Sequence, residues 1–275
     1  MTLLILKLVL APSLVVASSM AGRRWGPGVA GTLVALPIVA GPILFITYLE
    51  HGREFVAHAA SASLLGLVSL ALFAAVFARL ARARGWISTL PAGWLACLVT
   101  DLALSLTRLP ALVGLGLALA ATAAAARAMP VGGASDGRPD PRHPWWDLPA
   151  RAVATGALVL ALTTAASHLG PDLTGVLAPF PIGTSVVATF ALAQGGSSAA
   201  AATLRGVLRG LRGFSAFCFL VAVLARPVGG AGAFAVATVG ALGVQLLSGP
   251  ALTAAVALRE AVRPARPARP HDVTD

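Results

Sequence analysis

Charged side chains inside long apolar stretches are costly in hydrocarbon, so they are the first residues to question for chemistry. Lys7 interrupts "LLILKLVL" and Asp101 interrupts "LACLVTDLAL". One cation and one anion at matching depth on two separate helices fit an ion pair in the outer half of a bundle, serving a translocation path or the fold alone. His58 and Glu54 fall at a comparable level. Arg151 and Gln245 sit near the opposite face, where Arg151 reads as an interfacial anchor beside Trp145 and Trp146. Arg205, Arg209 and Arg212 follow at spacings of four and three and share one helix face. They suit a basic vestibule for an anion or lipid headgroup, or a helix start standing in the headgroup region. Cys97 and Cys218 read as small apolar filler. The apolar stretches carry no His/Cys cluster of metal spacing, no phosphate-binding glycine loop and no Ser/His/Asp set, so neither an enzyme nor a cofactor is expected.

The elements that hold these residues follow from composition. Of the 275 residues 57% are hydrophobic and 11% charged, and apolar runs near twenty residues recur. A bilayer core of about 30 Å takes about 20 apolar residues per helix. The chain therefore reads as an all-α integral membrane protein, and continuous runs such as "GALVLALTTAA" exclude the alternating strands of a β-barrel. Nine spans are expected, at about 2–20, 28–49, 55–81, 87–106, 109–128, 150–168, 173–193, 198–225 and 228–247. The first is kept as a helix because a signal peptide would place its basic residue before the apolar run, not within it. The net charge of +10 comes from arginines at the ends of apolar runs, which argues against a nucleic-acid partner.

One stretch, "GPGVAGTLVALPIVAGP" (26–42), is apolar enough to span yet carries three prolines and four glycines. At an offset of 144 residues it lies on "GPDLTGVLAPFPI": Gly26 meets Gly170, Pro27 meets Pro171, Gly31 meets Gly175 and Pro37 meets Pro181. The same offset sets Lys7 on Arg151 and Asp101 on Gln245. The chain thus reads as an internal duplication: a first four-helix repeat (1–106), a connector helix with a polar loop (107–149), a second repeat (150–250) and an Arg/Pro-rich tail (251–275). Because the connector helix makes five spans between matching helices, the repeats are expected to be inverted. Arginine distribution agrees: thirteen fall on one side and three (Arg53, Arg108, Arg226) on the other, which places the N-terminus outside and the tail in the cytoplasm. Pro37 and Pro181 break their helices, and repeat-related broken helices are common substrate sites in transporters.

Helix 2–20 with "LLILKLVL", then Arg23, Ala30-Gly31, Pro37 and "YLEHGRE", resembles the GlpM-like small bacterial inner-membrane proteins. The similarity covers 3–106 and, more weakly, 150–247, where Arg151, Gly175 and Pro181 persist but Leu192 and "GSS" depart from the pattern. It implies a bacterial cytoplasmic (inner) membrane and a four-helix unit, present here twice. The expected function is a transporter or exchanger of a small solute, an anion among the candidates, with Lys7, Pro37, His58, Asp101, Arg151, Pro181, Arg212 and Gln245 as candidate translocation or ligand residues. The alternative is a non-transporting membrane scaffold or accessory subunit of an envelope complex. Partners are the lipid bilayer and a second membrane protein or second copy of the chain.

Overall fold

The computed structural model describes residues 2–38, 40–107, 109–130, 144–169 and 180–247, with side chains from Leu8 onward except those of 165–169. Eight helices account for its regular structure: α1 (Thr2–Trp25), α2 (Pro27–Val34), α3 (Ala40–Leu80), α4 (Trp86–Ser105), α5 (Ala111–Ala128), α6 (Asp147–Leu169), α7 (Ile182–Leu224) and α8 (Gly230–Leu247). No strand occurs among the described residues. Five helices, α3, α4, α5, α7 and α8, are long and apolar enough to cross a membrane. The chain is therefore an all-helical membrane protein. Leu95, Val99 and Leu102 on α4, Leu112 on α5, and Val239, Leu242 and Leu246 on α8 stand exposed, a surface suited to acyl chains and unsuited to water.

α3 and α7, at 41 and 43 residues, are too long for one straight crossing, and each turns at a glycine. Gly52 (φ 80, ψ −178) and Gly196 (φ 73, ψ −169) occupy a backbone region essentially closed to residues with a Cβ. The contacts show that these turns reverse the chain. Before Gly52, Gly41 faces Phe217 and Tyr48 packs on Gly230; after it, Glu54 meets Arg226, and Arg79 at the far end donates to the Ala128 carbonyl. Arg205, early in the second limb of α7, donates to the Pro130 carbonyl close by. The second limbs of α3 and α7 therefore run antiparallel, with Glu54 and Arg226 at one end and Arg79 and Arg205 at the other.

The core lies between α3 and α7, where Leu64, Phe73 and Phe77 meet Leu204, Val207 and Leu211, all fully buried. α4 closes on this core because Gly93 lets the Phe73 ring approach; a Cβ there would lie 2.9 Å from the ring. α2 runs beside the second limb of α7 at a separation only glycine permits. A Cβ on Gly31 would enter the Thr203 carbonyl, and one on Gly206 would enter that of Gly28. The Thr32 hydroxyl lies 3.1 Å from the Gly206 carbonyl oxygen and 3.0 Å from that of Gly28, bridging the two helices. Small residues at such contacts are how apolar helices gain van der Waals attraction in lipid.

Candidate functional site

The helix break expected at Pro37 is present, α7 begins directly after Pro181, and the two prolines share one geometry. The Ile38 N–H donates to the Leu36 carbonyl at 2.8 Å, and the Ile182 N–H donates to the Phe180 carbonyl at 2.8 Å. Each proline is thus the centre of a three-residue turn, and the Pro181 angles of φ −78, ψ 59 match an inverse γ-turn. A helix follows each turn, with the Gly41 N–H on the Pro37 carbonyl and the Ser185 N–H on the Pro181 carbonyl, both at 2.8 Å. The breaks are close together: Gly183 packs beneath Val34, and Gly210 beneath Ala35. Beside the second break, the Trp94 indole N–H donates to Ser185 Oγ at 2.8 Å, and its ring lies 5.3 Å from that of Phe180. The stretch 170–179, which carries Gly170, Pro171 and Gly175, lies outside the described residues.

The most strongly connected polar cluster stands where the end of α1, the start of α6 and the end of the first limb of α7 meet. The Asp147 carboxylate is fully buried. It accepts from Arg23 at 2.7 Å, from Arg151 Nε at 2.9 Å and from Gln194 Nε2 at 2.6 Å. Arg151 donates further to Ser19 Oγ and to Gln194 Oε1, each at 3.3 Å, and its guanidinium lies 4.8 Å from the centre of the Phe190 ring. Burial alone would raise the Asp147 pKa, but the hydrogen bonds from Arg23, Arg151 and Gln194 and the Arg151 charge outweigh it, holding the carboxyl below the usual carboxylate range. Two guanidinium groups against one carboxylate leave the cluster with one positive charge in excess.

Arg151 therefore corrects the sequence reading. It is 6% exposed and locked in this network, while Trp145 and Trp146 beside it are exposed at the surface. Asp147, Arg23, Gln194 and Ser19 were not singled out as site residues by the sequence. The available signal was the Asp147 to Arg151 spacing of four, which faces the two side chains on one helix turn.

Asp101 is 5% exposed. Cys97 Sγ donates to its Oδ2 at 3.5 Å, and the Ser69 hydroxyl lies within hydrogen-bonding reach from α3. The Lys7 side chain lies outside the described residues, and α1 does not pack on α4 among those described. At the 144-residue offset, Ser69 corresponds to Gly213 and Cys97 to Ala241. Gln245 Oε1 is buried there without a hydrogen-bond partner, 3.2 Å from where Gly213 would carry a Cβ. Asp101 and Gln245, 144 residues apart, are thus polar groups in different surroundings.

The remaining candidates are dispersed. Arg226 donates to Glu54 at 2.9 Å and approaches His58 Nε2 at 3.5 Å, all on an exposed surface. Arg212 is exposed, Arg209 lies over Gly28, and Arg205 is held by the Pro130 carbonyl. These three arginines do not converge on the Asp147 cluster. Near the Glu54 end, Tyr48, Leu49, Gly52, Arg53 and Gly229 line an open depression of about 360 Å³. Compared with protein-family models, curated proteins and solved structures, the chain matches none.

Proposed function

We propose that the chain is a transporter or exchanger of a small solute, anions included, built from two inverted four-helix units in a bacterial cytoplasmic membrane. The observation that carries this reading is the recurrence of backbone geometry at one offset: γ-turns at Pro37 and Pro181, and glycine reversals at Gly52 and Gly196. Duplicated sequence gives similar folds, but the direction of packing bears on inversion. α1 and α6, the repeat mates, meet with Arg23 on Asp147 and Ser19 on Arg151, so they run antiparallel. The second limbs of α3 and α7 do the same. Antiparallel mates suit an axis in the membrane plane, and inverted repeats with broken helices near that axis are a common transporter plan. In this reading α3 and α7 each cross twice and α1, α4, α5, α6 and α8 once, making the expected nine crossings, and the arginine bias argues for the N-terminus outside and the tail in the cytoplasm. The resemblance to GlpM-like proteins belongs to this reading as the origin of the unit.

A membrane scaffold or accessory subunit is the second reading, favoured by the close packing of Val34 on Gly183 and Ala35 on Gly210 at the breaks. In a transporter the same packing would be a closed arrangement. Counterflow of chloride, phosphate and small carboxylates in proteoliposomes separates the two. Transport predicts flux for at least one solute that falls when Arg151→Gln opens the Asp147 cluster. Folded, correctly inserted protein without flux for any solute would leave the scaffold.

A further inference from the structure

A buried carboxylate is stable as an anion only when cations or several donors face it. Asp101 has neither among the described residues. Cys97 offers a weak thiol donor at 3.5 Å. The Ser69 hydroxyl has a single proton, and it already donates that proton to the Gly66 carbonyl at 2.8 Å. With its proton on that carbonyl, Ser69 Oγ is placed to accept from Asp101. Charged groups on the neighbouring helices lie elsewhere. On α3, His58 and Arg79 stand eleven and ten residues from Ser69, roughly 15 Å along the axis at 1.5 Å per residue. On α7, Arg205 turns to Pro130, Arg209 lies over Gly28 and Arg212 is exposed. Cys97 is the titratable neighbour on α4 itself.

The related position in the second unit supports the same conclusion. Gln245, permanently neutral, occupies the equivalent place, so the fold accepts an uncharged polar group there. One unit keeps a group that can gain and lose a proton; the other keeps an amide that cannot. We propose that Asp101 is a proton-binding group within the span, held at neutral pH as a carboxylic acid that donates to Ser69 Oγ and accepts from Cys97 Sγ. Uptake forms one O–H bond with a proton from water and takes the site from one negative charge to none; release reverses it, with no redox change. As a coupling group for transport the assignment rests on the reading above, whereas its protonation is measurable without any flux.

Infrared spectroscopy of the full-length protein in bilayers at neutral pH tests it. The wild type should show the carbonyl band of a protonated carboxyl, shifted on exchange into D2O. Asp101→Asn should abolish that band, and Ser69→Ala should shift it without abolishing it. A wild type lacking the band, or an Asp101→Asn variant retaining it, would overturn the assignment. So would a band that appears only in Lys7→Met, since Asp101 would then be an anion paired with Lys7. Should Asp101→Asn fail to fold, Ser69→Ala decides: a shifted band supports the assignment and an unmoved one overturns it. A band in vesicles that carry no solute or proton flux leaves Asp101 protonated and contradicts transport; flux without the band does the reverse.

Discussion

The two ends of the bundle each hold arginine against carboxylate, and they differ in what surrounds the pair. At one end Asp147 is fully buried and takes hydrogen bonds from Arg23, Arg151 and Gln194. At the other, Glu54 and Arg226 meet at 2.9 Å with side chains 67% and 52% exposed. The bond lengths are nearly alike; the solvent is not. Water screens the exposed pair and offers each partner an alternative, whereas the buried groups have only one another. The buried cluster joins three helices, so it ties the last turn before the reversal at Gly196 to α1 and α6. Near Gly52 the exposed pair merely decorates the surface.

The largest expected effect comes from removing the buried carboxylate. Asp147→Ala should destabilise the protein by about 3–5 kcal/mol in denaturant titrations in micelles, because two guanidinium groups lose their counter-charge. A loss under about 1 kcal/mol would make the two ends equivalent and break the comparison. The same contrast has a pH signature. The folded-state pKa of Asp147 is depressed, so its contribution is fully present above the ordinary carboxylate value of about 4 and fades as pH falls through the lower folded value. Acid should loosen the wild type in that window and leave Asp147→Asn, already weakened, comparatively flat.

Next in size is Gly206→Ala, which drives a methyl group into the Gly28 carbonyl and separates α2 from α7 beside the arginine-rich end. Overpacking of this kind costs about 1–3 kcal/mol, read as a lowered thermal midpoint. Gly52→Ala at the opposite end meets no neighbour within 4 Å, so its cost is the backbone alone, about 1–3 kcal/mol for this glycine-only region. An unchanged thermal midpoint for Gly206→Ala would show that helix separation is cheap here. Smallest is Glu54→Gln, expected to change stability by less than about 1 kcal/mol and to do so only at low salt.

The sequence made the backbone plan legible because proline and glycine act locally. Pro37 was readable as a break because glycine and a second proline follow it within one turn, whereas Pro12 and Pro91 sit inside unbroken α1 and α4, and the polar punctuation around Gly52 and Gly196 marked where spans end. Side-chain partnerships were not legible, since they depend on which helices become neighbours. Asp147 looked like part of a polar connector, and Arg151 like an anchor in the headgroups. Only the antiparallel docking of α1 on α6 brings Arg23 and Ser19 to them. Arg205, Arg209 and Arg212 show the converse: their shared face was readable, but Arg205 turned to a backbone carbonyl while Arg212 remained in the open.

If the two ends of the bundle face opposite sides of a membrane, cysteine accessibility reads it directly. Cys97 and Cys218 are buried, so the native thiols should stay silent toward a membrane-impermeant maleimide. Single cysteines introduced at Arg53 or Val228 should label in intact cells, while those at Arg84 or Trp145 should label only after the membrane is opened. Labelling of all four from the same side would contradict the account.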